Sequence, residues 1–383
     1  MPDAVLAGPA ARADLLRRLA DRAPVDLPVL SIYLDMRPQA TGSSPGRRAS
    51  LTVLRDRFSQ IESTLGPRGP ELESLRADDE RIRTSLDDEF DRAAQGLAIF
   101  ACHGDGLWET VEAGTPFEDA VIVSDTPQLF QLAQLLDDHE TAVVAVVDTN
   151  TVRLFLSRIG HFEELDGPDD DPIHYRKRDS GGWSQARFQR HIDNHRAEFA
   201  AEAASAIESL VERYDAKRVV LGGDEVALTP LLEAISPGVR ERVGEVLRID
   251  MRTPRDEIAA EAEPVLRQME ADASASLADQ VVGAVRGDGL GVAGAAATKA
   301  ALERGQVDTL VLLGPPGAGD QAEDQAEDDH AAGDHAGGDV DDEARNELIR
   351  LAATTSAEVA VIEEHAGLAR MGGVGGLLRY RID

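Results

Sequence analysis

A single cysteine, Cys102, stands in 383 residues, which excludes an intrachain disulfide and any zinc site built on several thiolates, and points to a reducing compartment. It sits in the apolar run Leu97-Ala98-Ile99-Phe100-Ala101-Cys102 and reads as a small buried hydrophobe. Aromatic residues make up 4% of a chain that is 42% hydrophobic, so any core is aliphatic. No uncharged apolar run approaches the ~20 residues of a membrane span. Asp3, Arg12, Asp14, Arg17 and Arg18 break up any signal-peptide core near the start. The expected localisation is cytoplasmic, with no membrane partner. Lysine is scarce too, occurring at Lys177, Lys217 and Lys299.

What the chain has in excess is acid: 71 Asp and Glu against 39 Lys and Arg, a formal net charge of -32. Such a surface repels nucleic acid, so a contact with RNA must be confined to local basic islands, and DNA is not an expected partner. A salt-adapted source explains the same balance, and the global charge is read as habitat. One basic island exists. Arg176-Lys177-Arg178-Asp179-Ser180-Gly181-Gly182-Trp183-Ser184-Gln185-Ala186-Arg187-Phe188-Gln189-Arg190 carries five bases against one acid. Adjacent glycines let the backbone approach a ligand at distances a Cβ forbids, and Gln185 adds an amide donor and acceptor beside them.

The length fits two or three domains. An N-terminal α/β domain, residues 1–138, is read from a strand at Pro28–Asp35, two helical patterns, and strands at Leu97–Cys102 and Ala120–Val123. A middle domain, residues 139–272, opens with strands at Thr141–Asp148 and Thr151–Leu156, turned by Thr149-Asn150. After the Gly-Gly loop, helical spacing from Gln185 to Tyr214 predicts one helix about 45 Å long. A strand at Arg218–Leu221 and a further helix, strand and helix follow. The C-terminal α/β domain, residues 273–383, is predicted to hold helices at Leu277–Val285, Val292–Arg304 and Ala344–Ala353. Its strands are predicted at Thr309–Leu313, Glu358–Ile362 and within Gly373–Arg381. Within it, residues 314–343 carry eleven Asp and Glu and no Lys or Arg, a composition that predicts a disordered acidic insert.

Gly181, Gly182, Ser184, Arg187, Phe188 and Arg190 match, without a gap, the peptidyl-transfer loop of the archaeal and eukaryotic class-1 peptide release factors, Gly-Gly-Gln-Ser-x-x-Arg-Phe-x-Arg, which a long helix follows. Gly373-Val374-Gly375-Gly376-Leu377-Leu378-Arg379-Tyr380 resembles the signature near the end of the same factors. The two motifs occur in the family's order, and the resemblance covers roughly residues 142–383. It implies an RNase H-like middle domain and a C-terminal domain of the kink-turn-binding ribosomal-protein type. Trp183 stands at the family's glutamine position and Gln185 two residues later, a departure similar to the divergent bacterial and archaeal branch and its peptidyl-tRNA hydrolases of ribosome quality control.

By this resemblance the partners are the ribosome and peptidyl-tRNA, with a GTPase of the elongation-factor type as a further candidate, and no cofactor or metal is expected. Gly181 and Gly182 give close approach, and Gln185 orients a water for hydrolysis of the peptidyl ester. Arg176, Lys177, Arg178, Trp183, Ser184, Arg187 and Arg190 contact RNA. The N-terminal domain has neither the Asn-Ile-Lys-Ser loop nor the Tyr-x-Cys-x-x-x-Phe element of stop-codon readers. Two functions remain open: a peptidyl-tRNA hydrolase of stalled ribosomes, and a non-catalytic factor that occupies and protects the ribosomal A site. Gly289-x-Gly291-x-x-Gly294 follows a helical segment, which excludes the dinucleotide fingerprint. His191 and His195 lack the glutamate of a zincin, and His330 and His335 lack the spacing of a coordination shell.

Overall fold

The computed structural model describes residues 9–37, 46–88, 90, 94–165, 185–314 and 341–381. Among these residues it is a mixed α/β protein with three four-stranded sheets. The chain divides into two compact units, one made of Met1–Asp138 together with Ala273–Asp383, the other of His139–Asp272. Arg176–Ser184 and most of the acidic insert lie outside the described residues.

In the first unit, α1 (Pro9–Ala20), β1 (Val29–Asp35), α2 (Gly46–Thr64) and α3 (Pro70–Asp88) precede β2 (Gly96–Cys102), β3 (Leu107–Ala113), β4 (Ala120–Ser124) and α4 (Phe130–Asp138). The strand order is β3-β2-β1-β4, with β1 antiparallel to both β2 and β4. Leu30, Ile32 and Leu34 alternate onto one face and pack with Leu54 and Phe58 of α2 and Leu75, Ile82 and Leu86 of α3. On β1 the intervening Tyr33 is buried and donates its hydroxyl to Gln128 O at 2.6 Å. Cys102 is fully buried, and burial pushes its thiol up, as its apolar run predicts. Alternation did not mark β3, whose Glu109, Thr110 and Glu112 dilute the apolar pattern.

In the second unit, β5 (Ala142–Val147), β6 (Val152–Arg158) and β7 (His161–Leu165) form a meander. Then come α5 (Gln185–Arg213), β8 (Arg218–Gly223), α6 (Glu225–Ala234) and α7 (Pro237–Arg240). The order is β7-β6-β5-β8, antiparallel except for β5 beside β8, which are parallel. Parallel neighbours require a crossover, and α5 supplies it. β5 is buried along its whole length because helices and loops cover both faces of the sheet. Instead of the expected strand after α6, the chain makes only isolated parallel bridges from Val243 to Val219 and from Leu247 to Gly222.

α8 (Arg255–Arg286) is one helix of 32 residues, longer than the pattern at Leu277–Val285 suggested. β9 (Gly291–Ala293), α9 (Ala295–Glu303), β10 (Val307–Leu313), α10 (Asp342–Thr354), β11 (Glu358–Ile362), α11 (Ala366–Ala369) and β12 (Val374–Leu378) complete the first unit. The predicted helix at Val292–Arg304 thus starts later, because Val292 pairs with Gly376 of β12. The order is β11-β10-β12-β9. The glycines of the terminal motif have a packing reason. A Cβ on Gly375 would stand 2.8 Å from Val281 Cγ1 and 3.0 Å from Val292 O, so only glycine lets β12 lie this close to α8 and β9.

α10 joins the two sequence-distant parts of the first unit. Arg350 donates to Ala20 O at 3.0 Å and to Arg22 O at 2.6 Å, a cation set on the open carbonyls that end α1. Asp137 of α4 accepts from Val361 N of β11 at 2.7 Å.

Candidate functional site

The candidate loop is carried by α5, which begins at Gln185 and is 29 residues long. The placement of Gln185, Arg187, Phe188 and Arg190 is therefore on its first two turns, as the spacing predicts. The described side chains of α5 begin at Arg196, so the contacts of those four residues lie outside the described residues, as do Arg176, Lys177, Arg178, Gly181, Gly182, Trp183 and Ser184.

The second half of α5 is fixed firmly. Phe199, Ala203, Ala206, Ile207, Leu210 and Val211 recur at helical spacing and are buried against Val143, Ala145 and Val147 of β5 and Leu154 and Leu156 of β6. Alanines at five of the positions from 200 to 206 favour the helix and allow close approach to α6. Asp215, at φ 46, ends it in the left-handed conformation, with Ala216 N donating to Val211 O at 3.0 Å.

Beneath α5 the carboxyl ends of β5 and β8 are held by turn chemistry. Asp148 Oδ1 accepts from Asn150 N and Thr151 N, each at 2.7 Å, which closes the β5–β6 turn. Asp224 caps α6 by accepting from Ala227 N at 2.8 Å. Gly223 between them has φ 149, and a Cβ there would collide with Val147 O. Val147, Asp148, Thr149, Arg196, Phe199, Ala200, Val226, Ala227 and Pro230 line a shallow depression enclosing about 10 Å³, room for about one water. Nothing in the sequence pattern marks this depression, which comes from the approach of α5, α6 and the β5–β6 turn.

Two charged groups brace the sheet. Arg153 of β6 grips Glu164 of β7 with two bonds of 2.7 and 2.9 Å and donates to Met251 O and Thr253 O. Arg218 at the start of β8 is 7% exposed and pairs with Glu140 at 2.9 Å and Glu270 at 2.7 Å. These arginines are structural: each is committed to partners within its own unit.

No helix among the described residues is long and apolar enough to cross a membrane. Residues 127–267 match the family described as bacterial archaeo-eukaryotic release factor family 10. No curated protein matches the chain. Among solved structures, the archaeal translation termination factor aRF1 is 18% identical over 97% of this chain and 98% of its own, with a TM-score of 0.27. Archaeal Pelota, in its ribosome-bound form with ABCE1, is 16% identical over 75% of this chain and 78% of its own, with a TM-score of 0.43. Dom34 of S. cerevisiae, a translation termination-like factor that interacts with Hbs1, is 11% identical over 77% of this chain and 83% of its own, with a TM-score of 0.37. The relation rests on the family match, which runs from before α4 into α8 and includes the basic Gly-Gly segment and all of α5. Residues 127–267 are thus similar to a bacterial release-factor-like family.

Proposed function

We propose that this protein is a ribosome-associated factor that hydrolyses the ester of peptidyl-tRNA on stalled ribosomes without reading a stop codon. The observation that carries the reading is the family match over residues 127–267, which encloses the Gly181-Gly182 loop and the helix that follows it. In the reaction a water oxygen bonds to the ester carbonyl carbon, the carbon–oxygen bond to the tRNA ribose breaks, and the proton ends on the ribose oxygen. The protein's task is to hold the water and offer N–H donors where the oxyanion develops. Backbone N–H groups at Gly182 to Gln185 and the Gln185 amide have the chemistry for both roles, and none of them needs to titrate. Arg176, Lys177, Arg178, Arg187 and Arg190 neutralise RNA phosphates, with Trp183 and Ser184 as further RNA contacts.

The order β7-β6-β5-β8, with α5 crossing between parallel β5 and β8, supports an RNase H-like middle domain. The mixed sheet of β9 to β12, with α9 and α10, supports a C-terminal domain of the kink-turn-binding ribosomal-protein type. On this reading the domains are 1–138, 139–272 and 273–383, and an elongation-factor type GTPase delivers the protein to a cytoplasmic ribosome. Trp183, at the position of the release-factor glutamine, favours a second reading: a non-catalytic factor whose indole stacks on a base in the A site. The test is incubation of the purified protein with peptidyl-tRNA, free and ribosome-bound, while peptide release is followed. Release from the ribosome-bound substrate is expected; tight ribosome binding without release supports the second reading, and absence of binding overturns both.

A further inference from the structure

Each sheet has two edge strands, and an open edge offers unpaired N–H and C=O groups to any extended chain. Five of the six edges here carry a device against that. β3 holds Glu109 and Glu112, and β7 holds Glu163 and Glu164. β9 has only 3 residues. Beyond β8 the chain returns, with Val219 N donating to Arg242 O and Leu247 N to Leu221 O. β11 opens with Glu358, and the Asp137 carboxylate occupies Val361 N.

β4 has no such device. Its sequence, Ala120-Val121-Ile122-Val123-Ser124, contains no charge and no proline, and its register with β1 runs without a bulge. Ile122 is 38% exposed and Val123 37%, and these neighbours point to opposite faces of the sheet. Among the described residues no strand pairs with the outer side of β4. A run of β-branched residues on an open edge is the arrangement that accepts an added strand.

Carboxylates predominate beside the edge among the described residues. Glu118, Asp119 and Asp125 flank it and are exposed, and no Lys or Arg occurs between residues 114 and 152. Arg350 acts on Asp125 from α10 while donating to the carbonyls of Ala20 and Arg22, and Arg37 pairs with Asp35, whose N–H donates to Asp119. A second copy of this chain is a poor occupant. Antiparallel pairing about Ile122 would set Asp119 against Asp125 at both ends, between two molecules of net charge -32 each.

We propose that the outer edge of β4 docks an extended segment of a partner protein, β-branched along its middle and carrying Lys or Arg at its ends. Main-chain bonds to β4 supply the affinity, Ile122 and Val123 meet alternate side chains, and the flanking carboxylates select the basic termini.

The test uses the full chain and a fluorescent peptide with a Thr-Val-Thr-Val-Thr centre and two lysines at each end, followed by anisotropy. The parent should bind it and slow hydrogen exchange at the outward-facing, alternate amides of β4. A glutamate-ended peptide should bind about tenfold more weakly. Ile122→Lys should weaken the lysine-ended peptide about tenfold at unchanged Tm. Glu118→Lys, which leaves the strand untouched, should narrow the preference between the two peptides. Absence of binding at millimolar peptide, or equal binding of the two peptides, overturns the proposal. So does a dimer of the chain alone that Ile122→Lys dissolves.

Discussion

Asn346 and Leu129 meet across 217 residues of sequence: the Asn346 side-chain oxygen accepts from Leu129 N at 2.8 Å in a buried setting. The same side chain donates to Pro127 O at 3.1 Å, so one amide on α10 satisfies both backbone groups at the entrance to α4. Asn346→Leu would leave the donor and the acceptor buried without partners. A loss of about 1–3 kcal/mol in unfolding free energy is expected, measured by urea titration. A variant as stable as the parent would mean that water reaches these groups.

Arg218 holds Glu140 and Glu270 together at the start of β8. Replacing it with methionine keeps much of the volume but leaves two carboxylates beside each other in a partly buried site. Destabilisation of about 3–5 kcal/mol is expected. Adding Glu270→Gln to the same variant should recover part of the loss, because it removes one of the stranded charges. Equal stability of the single and double variants would show that packing, not charge, governs the site.

The Asp138 carboxyl is pushed up to about 6, first by burial and then by the nearby Glu363. A carboxyl raised in the folded state binds more protons there than in the unfolded chain between about pH 4 and pH 6. Its contribution is therefore full at the acid end of that window and is lost as pH rises through about 6. Asp138→Asn should flatten this part of the stability profile and raise stability at pH 7 by about 1–3 kcal/mol, read by denaturant unfolding from pH 4 to 8.

Gln185 supplies an amide side chain beside the Gly-Gly turn, and α5 starts with it. Gln185→Ala should lower peptide release from ribosome-bound peptidyl-tRNA by a factor of about 10 to 1000 while the far-ultraviolet spectrum is unchanged. If Trp183→Ala abolishes ribosome binding and Gln185→Ala changes nothing, the A-site occupant without catalysis is the better account.

Arg187 and Arg190 lie on the first two turns of α5. Changing both to glutamine should weaken ribosome binding and reduce the slope of log affinity against log salt by about one counterion per charge removed. Parent-like affinity and slope would make them an ordinary solvated helix face.

Patterns that repeat along one element were legible before any coordinates. Phe199, Ile207 and Val211 announced α5 to within a residue of its ends, and Glu358–Ile362 gave β11 without error. Elements whose burial is decided by distant partners were not legible. β7 reads as polar because Glu163 and Glu164 face outward, and it pairs through Arg153 of β6. α1 was missed because its first turns carry charge, and its end is completed by Arg350 from far along the chain. Of the candidate site, the sequence names residues through a motif and a basic run, and their side chains lie outside the described residues. The bracing beneath it, Gly223 against Val147 O and Asp148 in its turn, depends on which strands become neighbours and has no local mark.

The unit that α10 stitches together has an order of synthesis built into it. Its first 138 residues leave the translation machinery well before the segment from Ala273 onward exists, with all of His139–Asp272 made in between. At the usual elongation rate of about 5–20 residues per second, the 245 residues from His139 to Asp383 take about 10–50 s to make. During that interval the residues that Asn346 and Arg350 later satisfy, at Leu129, Pro127, Ala20 and Arg22, have no permanent partner, while His139–Asp272 already has a complete sheet to close. The β3-β2-β1-β4 sheet and the β7-β6-β5-β8 sheet each lie within one continuous stretch, so both can form before α10 is made to join the two parts of the split unit.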